Sequence, residues 1–243
     1  MYRSLDADQI IATAERLHRR IEERFPGSGL LSVSGELLAE TREAKRTALW
    51  LAKPHRLIRF ATSALIASVV FIVVGTLFVL SRLTELFSNV SDFFQGVDAA
   101  VNELLLLGAA IYFLGTWEAR HKRKRVLRAM QVLRSMAHII DMHQLDKDPE
   151  RLRTPRQDTP SSPPDTLSAY ELTRYLDYCS EMLSILSKIA ALYAQDLDDS
   201  DVLAAVDEVQ DLTGGLSQKI WQKIMILDRV IDEKPVAATT PAR

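Results

Sequence analysis

The longest apolar run of the chain lies at 57–80, and it organises the interpretation of the remaining pattern. From Phe60 to Leu80 the sequence contains no charged residue over 21 positions. An α-helix rises about 1.5 Å per residue, so such a run matches the roughly 30 Å hydrocarbon core of a bilayer. The pattern therefore predicts a transmembrane helix at 57–80.

A second apolar run, Leu104–Trp117, is only 14 residues long. A helix of that length reaches about 21 Å and is too short to cross a bilayer alone. Extending it upstream gives a second transmembrane helix at 97–117 and leaves 81–96 as a short external loop. The two helices would form a transmembrane hairpin, and Gly108 and Gly115 in the second mark points where another helix could approach closely.

This extension places polar residues inside the predicted hairpin. Asp98, Asn102 and Glu103 fall within the second helix, and Arg82 stands just past the end of the first. Ionisable residues within a membrane usually pair or line a cavity, so we expect these four to form an intramembrane polar site. Glu103 could pair with Arg82 and lock the hairpin, or it could face the pore of an oligomer.

A cluster of basic residues directly follows the second run. Residues 118–131 carry a net charge of +5, and basic residues also precede the first run. The positive-inside rule then predicts a bacterial inner-membrane protein with both termini in the cytoplasm. The cluster could contact anionic lipid headgroups, which would make membrane lipids a partner, or it could serve orientation only. We call it the basic collar; it comprises Arg120, Lys122, Arg123, Lys124, Arg125 and Arg128.

The rest of the chain predicts helices through apolar residues spaced three and four apart, and near the N-terminus one such stripe consists of Ile10, Ala14, Leu17 and Ile21. The fold class expected is therefore all-α, with a cytoplasmic helical bundle built from the N- and C-terminal helices around a stalk extending from the second transmembrane helix.

Ser168 and Glu171 have capping-box spacing before a broadly apolar helix, and Asp6 with Gln9 forms a similar pair near the N-terminus. We expect Gly214 and Gly215 to end one helix and Trp221 to join the core through the next. The predicted segments are an N-terminal helical hairpin at 1–53, the stalk at 118–147, a proline-rich linker at 148–166, an acidic three-helix segment at 167–233 and a disordered tail at 234–243.

Candidate chemistry is sparse. Cys179 is the only cysteine and lies on an apolar helical face, so we expect a buried, inert thiol. His138 and His143 are five residues apart and diverge around a helix, which disfavours a metal site. No phosphate-binding, dinucleotide, nucleophile-elbow or zinc-protease motif is present. We therefore expect no catalytic residue, metal or cofactor, and the acidic segment at 165–234, with a net charge of −8, argues against nucleic-acid binding.

Three stretches resemble a family of uncharacterised bacterial two-pass membrane proteins that has no known activity. They read SMAHIIDMHQLDKDPERL, TRYLDYCSEMLSILSKIAALYAQDLDD and GGLSQKIWQKIMIL. The resemblance covers most of the chain and implies an inner-membrane location. It assigns no site residue.

Two functions remain open at this point. The first is a non-enzymatic, membrane-anchored helical protein that assembles into a homo-oligomer or binds a cytoplasmic protein partner. The alternative is a subunit of an oligomeric ion channel or transport element with Glu103 near the pore, since two helices per chain enclose a pore only when several chains assemble.

Overall fold

The computed structural model describes residues 4–52, 56–82, 90–149, 160, 167–195 and 197–233. Within these ranges there is no β-strand, and the prediction of an all-α protein is confirmed. The six helices are α1 (Ala7–Arg24), α2 (Gly29–Ala52), α3 (Arg56–Arg82), α4 (Val90–Leu145), α5 (Ala169–Ala194) and α6 (Ser200–Glu233).

The predicted transmembrane hairpin is contradicted. In the described part of the chain, no helix combines the length and the apolar character needed to cross a membrane. The transmembrane helices at 57–80 and 97–117 are therefore wrong, and so is the inner-membrane location inferred from them.

The chain divides into two compact units. Unit 1 comprises Met1–Ala52 and Val126–Arg243, and unit 2 comprises Lys53–Arg125. Helix α4 is continuous through position 126 and so contributes residues to both units. In unit 1, α5 packs on α6, α1 packs on α2, and α5 also contacts α1 and α2.

Helix α5 is the centre of the core of unit 1. Thirteen of its 26 residues are buried, compared with eight in α2 and four in α1. The broad apolar stripe in its sequence accounts for its being the most buried of those three helices. The core includes Leu17, Ile21, Leu30, Leu37, Leu133, Ile140, Leu176, Leu183 and Leu186.

The start of α5 is fixed by the capping box predicted from the sequence. The Glu171 amide donates to Ser168 Oγ at 3.3 Å, and the Ser168 amide donates to Glu171 Oε2 at 2.8 Å. These bonds satisfy backbone donors that a helix N-terminus leaves unpaired. Helix α1 has Asp6 as its N-cap, as predicted. The Asp6 carboxylate accepts a hydrogen bond from the Asp8 amide at 2.9 Å, and not from Gln9 as the predicted pair implied.

Two expectations for the C-terminal segment are wrong. Helix α6 continues through Gly214 and Gly215, where a break was predicted. A helical glycine costs about 1 kcal/mol, and here Val209 and Leu216, on either side of the pair, are both buried in the core. Packing on both sides of the pair offsets the propensity cost. Trp221, which was expected in the core, is 59% exposed.

Candidate interaction surfaces

Only two of the four residues of the predicted intramembrane polar site have described side chains. Asp98 and Asn102 lie on α4, and both side chains are exposed. The side chains of Arg82 and Glu103 fall outside the described residues. The pairing of Arg82 with Glu103 therefore stays a prediction.

The basic collar lies along α4 and is not uniform. Lys122 pairs with Glu118 at 2.9 Å one helical turn away, and both side chains are mostly buried. Arg120 stacks its guanidinium over the Phe113 ring, with 4.7 Å from Cζ to the ring centroid, and donates to Thr116 Oγ1. Lys122 and Arg120 are thus engaged within their own helix, and a contact of the collar with lipid headgroups stays a prediction.

The most exposed apolar side chains of the described protein belong to unit 2. On α3, Phe71 is 80% exposed and Phe60 is 75% exposed. On α4, Leu106 and Tyr112 are exposed to a similar degree. We call this set the unit 2 apolar surface; it comprises Phe60, Ile66, Val70, Phe71, Ile72, Val74 and Phe78 of α3, and Phe94, Val101, Leu104, Leu105, Leu106, Tyr112, Phe113 and Trp117 of α4.

This surface extends around each helix instead of forming one stripe. Residues 70, 71 and 72 are consecutive, and successive residues in an α-helix point about 100° apart, so their side chains cover more than half of the helix circumference. The same holds for residues 104 to 106. Among the described side chains of α3 only Val69 is buried. A helix that is apolar all round is typical of a buried helix, whereas most of the described apolar side chains of unit 2 lack cover.

Glycines on this surface are also open. A Cβ atom added at Gly75, Gly108 or Gly115 would meet no described atom within 4 Å. The sequence suggested Gly108 and Gly115 as points of close helix approach. Such an approach within one chain is not seen among the described residues, so these positions are available for a helix from elsewhere.

A second feature lies in unit 1, where the C-terminal end of α1 meets the N-terminal end of α5. A polar cleft of about 530 Å³ lies between them. We call it the arginine cleft; its lining consists of Arg20, Glu23 and Arg24 of α1, and Tyr170, Glu171, Arg174 and Tyr178 of α5.

Sequence reasoning missed this cleft although its spacing signal is present. Arg20 and Arg24 are four residues apart, and so are Tyr170, Arg174 and Tyr178 in turn. Residues at this spacing share one helical face. Each of the two helical faces could therefore be predicted from the sequence. The packing of α1 on α5, which brings the two faces together, could not.

Reactive groups are few in the described chain. Burial raises the pKa of the Cys179 thiol to about 12, so the thiolate needed for nucleophilic chemistry is scarce at neutral pH. No cluster of three or more His, Cys, Asp or Glu side chains among the described residues is arranged to hold a metal ion. His143 instead lies against the backbone of Gly29, where an added Cβ would stand 2.5 Å from His143 Cε1.

Comparison with known proteins adds no functional assignment. No protein family, curated protein or solved structure matches the chain. The resemblance to bacterial two-pass membrane proteins stays a prediction. The unit 2 apolar surface and the arginine cleft are the two features of the described chain that point to a function.

Proposed function

We propose that the chain is a non-enzymatic assembly protein that associates with further copies of itself through the unit 2 apolar surface. The observation that carries the proposal is the exposure of large apolar side chains on several faces of both α3 and α4. Contiguous apolar patches larger than a few hundred Å² are rare on monomeric soluble proteins and usually mark a site of association.

The energy available from this surface is sufficient for stable association. Burying one large apolar side chain contributes about 1.5–3 kcal/mol. Association of two proteins costs roughly 4–15 kcal/mol in lost translational and rotational freedom. A few pairs of side chains as exposed as Phe60 and Phe71 therefore offset that cost, and both helices offer several.

A second copy of the chain is the partner that this surface fits. Positions 60–80 contain no charged residue, so two copies meet there without like-charge repulsion. A partner with a charged surface would have its charges desolvated without a counter-charge, which is strongly unfavourable. Closed homo-oligomers that use the same patch on each subunit are also the commonest form of assembly.

The channel alternative has no observation in its favour. It depends on Glu103 facing a pore, and the side chain of Glu103 falls outside the described residues. A separate protein partner also lacks a specific observation. Self-association is therefore the one function that we carry forward.

Engineered cysteines test the proposal directly, because Cys179 is fully buried and does not compete for oxidation. Gly108→Cys places a thiol on the unit 2 apolar surface, at an open position with ordinary helical backbone. Gly214→Cys is the matched control, since it is an equally open helical glycine in unit 1. We expect mild oxidation to give intermolecular disulfides in Gly108→Cys and not in Gly214→Cys.

Sedimentation equilibrium of the wild-type chain provides the test that does not depend on thiol geometry. We expect a discrete oligomer whose population falls on dilution. A chain that is monomeric throughout the concentration range would overturn the proposal. So would a monomer that stays dispersed only when detergent covers its apolar side chains.

A further inference from the structure

The arginine cleft brings three guanidinium groups to two tyrosine rings. Arg24 and Arg174 lie over the ring of Tyr170, with 5.3 and 5.7 Å from Cζ to the ring centroid. Arg20 lies over the ring of Tyr178 at 5.0 Å. Tyr178 is buried, whereas Tyr170 is 58% exposed and forms an accessible wall of the cleft.

The guanidinium groups retain unused hydrogen-bond donors. Arg20 pairs with Glu181 at 2.8 Å and Arg174 pairs with Asp177 at 3.2 Å, in each case through one terminal nitrogen. Arg174 Nε is buried and has no hydrogen-bond partner in the described structure. Since a guanidinium offers five N–H donors, each of these residues can bind a further anionic oxygen.

Arg24 differs from the other two arginines because it forms no salt bridge with a carboxylate among the described residues, although its charge, after the hydrogen bonds from Ser168, helps to lower the pKa of the nearby Glu171 carboxyl. A hydrogen bond with Tyr178, and then the neighbouring Tyr170, raise the pKa of Arg24, whose guanidinium also lies over the Tyr170 ring. An exposed arginine that stacks on an aromatic ring is held in place while its terminal N–H groups stay available.

The N-terminus of α5 adds positive potential to the same cleft. A helix carries roughly half a unit of positive charge at its N-terminus, and its first amides lack helical partners. The capping box uses the Glu171 amide and engages the Glu171 carboxylate with the Ser168 amide and hydroxyl. Both carboxylates that line the cleft, Glu23 and Glu171, oppose an anion, but Glu171 is needed for the capping box, so Glu23 is the one that can be neutralised without disturbing the start of α5.

From this geometry we propose that the arginine cleft binds a phosphate monoester, with Arg24 and Arg174 contacting the phosphate oxygens. A phosphate dianion presents three terminal oxygens, which matches several converging guanidinium groups better than a carboxylate with two. The exposed Tyr170 ring offers apolar contact to the organic group of the ester. A volume of about 530 Å³ accommodates a small organic phosphate.

Phenyl phosphate is the probe that tests this proposal, titrated into the full chain and followed by ³¹P NMR line width at low salt. We expect saturable binding to the wild type and about tenfold weaker binding to Arg24→Gln, which loses one charge-assisted contact. Glu23→Gln removes the opposing carboxylate, and we expect it to bind phenyl phosphate more tightly than the wild type. Because Arg24 and Glu23 are both exposed, neither substitution is expected to disturb folding.

Arg42→Gln is the matched control. Arg42 is an exposed arginine of unit 1 that pairs with Glu15 away from the cleft, so its loss should leave binding unchanged. Equal affinity in the wild type and Arg24→Gln would overturn the proposal, as would equal weakening in Arg42→Gln. Benzoate serves as the carboxylate probe, and binding of benzoate as tight as that of phenyl phosphate would overturn the assignment of the ligand as a phosphate.

Discussion

The two units are built from the same kind of helix but distribute their apolar side chains in opposite ways. In unit 1, α1, α2 and α5 turn their apolar residues towards a shared core that includes Leu17, Leu37 and Leu183. In unit 2, α3 and the N-terminal part of α4 leave theirs exposed. Helix formation alone therefore does not ensure burial, because burial also requires enough neighbouring helices.

Helix α4 shows this contrast within one continuous element. Its residues in unit 1 bury a regular stripe that includes Val126, Met130, Leu133 and Ile140. Its residues in unit 2, such as Leu105, are exposed although they are at least as apolar. The difference lies in the surroundings and not in the helix, and it predicts that substitutions in the two regions affect different properties.

The largest effect on stability is expected from the core of unit 1. Leu183 is fully buried, so Leu183→Ala should lower the free energy of unfolding by about 2–5 kcal/mol through lost burial and the cavity left behind. Urea unfolding followed by circular dichroism measures this loss. An effect below about 1 kcal/mol would contradict the description of α5 as the centre of the core.

The second prediction concerns association and not folding. Phe71 is 80% exposed, so Phe71→Ser should leave the urea midpoint of unit 1 unchanged. If the ring becomes buried between copies, its loss weakens self-association by about 1.5–3 kcal/mol, which is roughly a tenfold to hundredfold rise in the dissociation constant. Sedimentation equilibrium measures the change.

Trp221→Ser is the control for that experiment. Trp221 is an exposed aromatic residue of α6 in unit 1, and its removal should not alter the dissociation constant. A shift in Trp221→Ser as large as that in Phe71→Ser would remove the distinction between the two units.

Much of the fold could be predicted from local pattern. The helical spacing of Ile10, Ala14, Leu17 and Ile21 predicted the buried face of α1, and these four residues are buried. The prediction failed at Gly214, where tertiary packing outweighs a local helix-breaking signal, and at Trp221, whose side chain lies off the buried stripe of α6. Local signals are reliable where packing agrees with them and fail where packing overrides them.

The candidate sites were harder to predict for a physical reason. The apolar character of unit 2 is evident from the sequence, but an apolar run such as 60–80 does not by itself identify the solvent or the partner that covers it. The arginine cleft depends on α1 meeting α5, and no local pattern encodes that contact. Arg24 and Tyr170 are 146 positions apart in the sequence, and only the packing of α1 on α5 brings their side chains together.

A smaller effect is expected at the N-terminus of α5. Ser168→Ala removes the hydroxyl that accepts from the Glu171 amide, and loss of such a cap costs about 1 kcal/mol. Urea unfolding measures this change, with Ser32→Ala, an exposed serine within α2, as the control. An unchanged midpoint in Ser168→Ala would show that packing of α5, and not its cap, determines where the helix begins.

The smallest effect is a pH dependence that arises from partial burial of a carboxyl group in unit 1. Burial, together with the neighbouring Glu43 carboxylate, raises the pKa of Glu40, while a hydrogen bond from Tyr193 lowers it in part. Because the folded state then holds the Glu40 proton more tightly than the unfolded state, the free energy of unfolding falls as pH rises through the folded pKa. Urea midpoints measured from pH 4 to pH 7 should therefore decline less steeply in Glu40→Gln than in the wild type.

Tyr193→Phe should change the slope in the opposite direction. Without the hydrogen bond that favours the charged carboxylate, the pKa of Glu40 rises further and the decline with pH becomes steeper, whatever the variant does to the absolute stability. Comparing slopes separates the titration of Glu40 from any loss of packing around the buried Tyr193 ring. If the slopes of Glu40→Gln and the wild type coincide, burial does not raise the pKa of Glu40. The α2 face that carries Glu40 would then be as exposed to water as the helices of unit 2, and the contrast between the two units would apply to apolar side chains only.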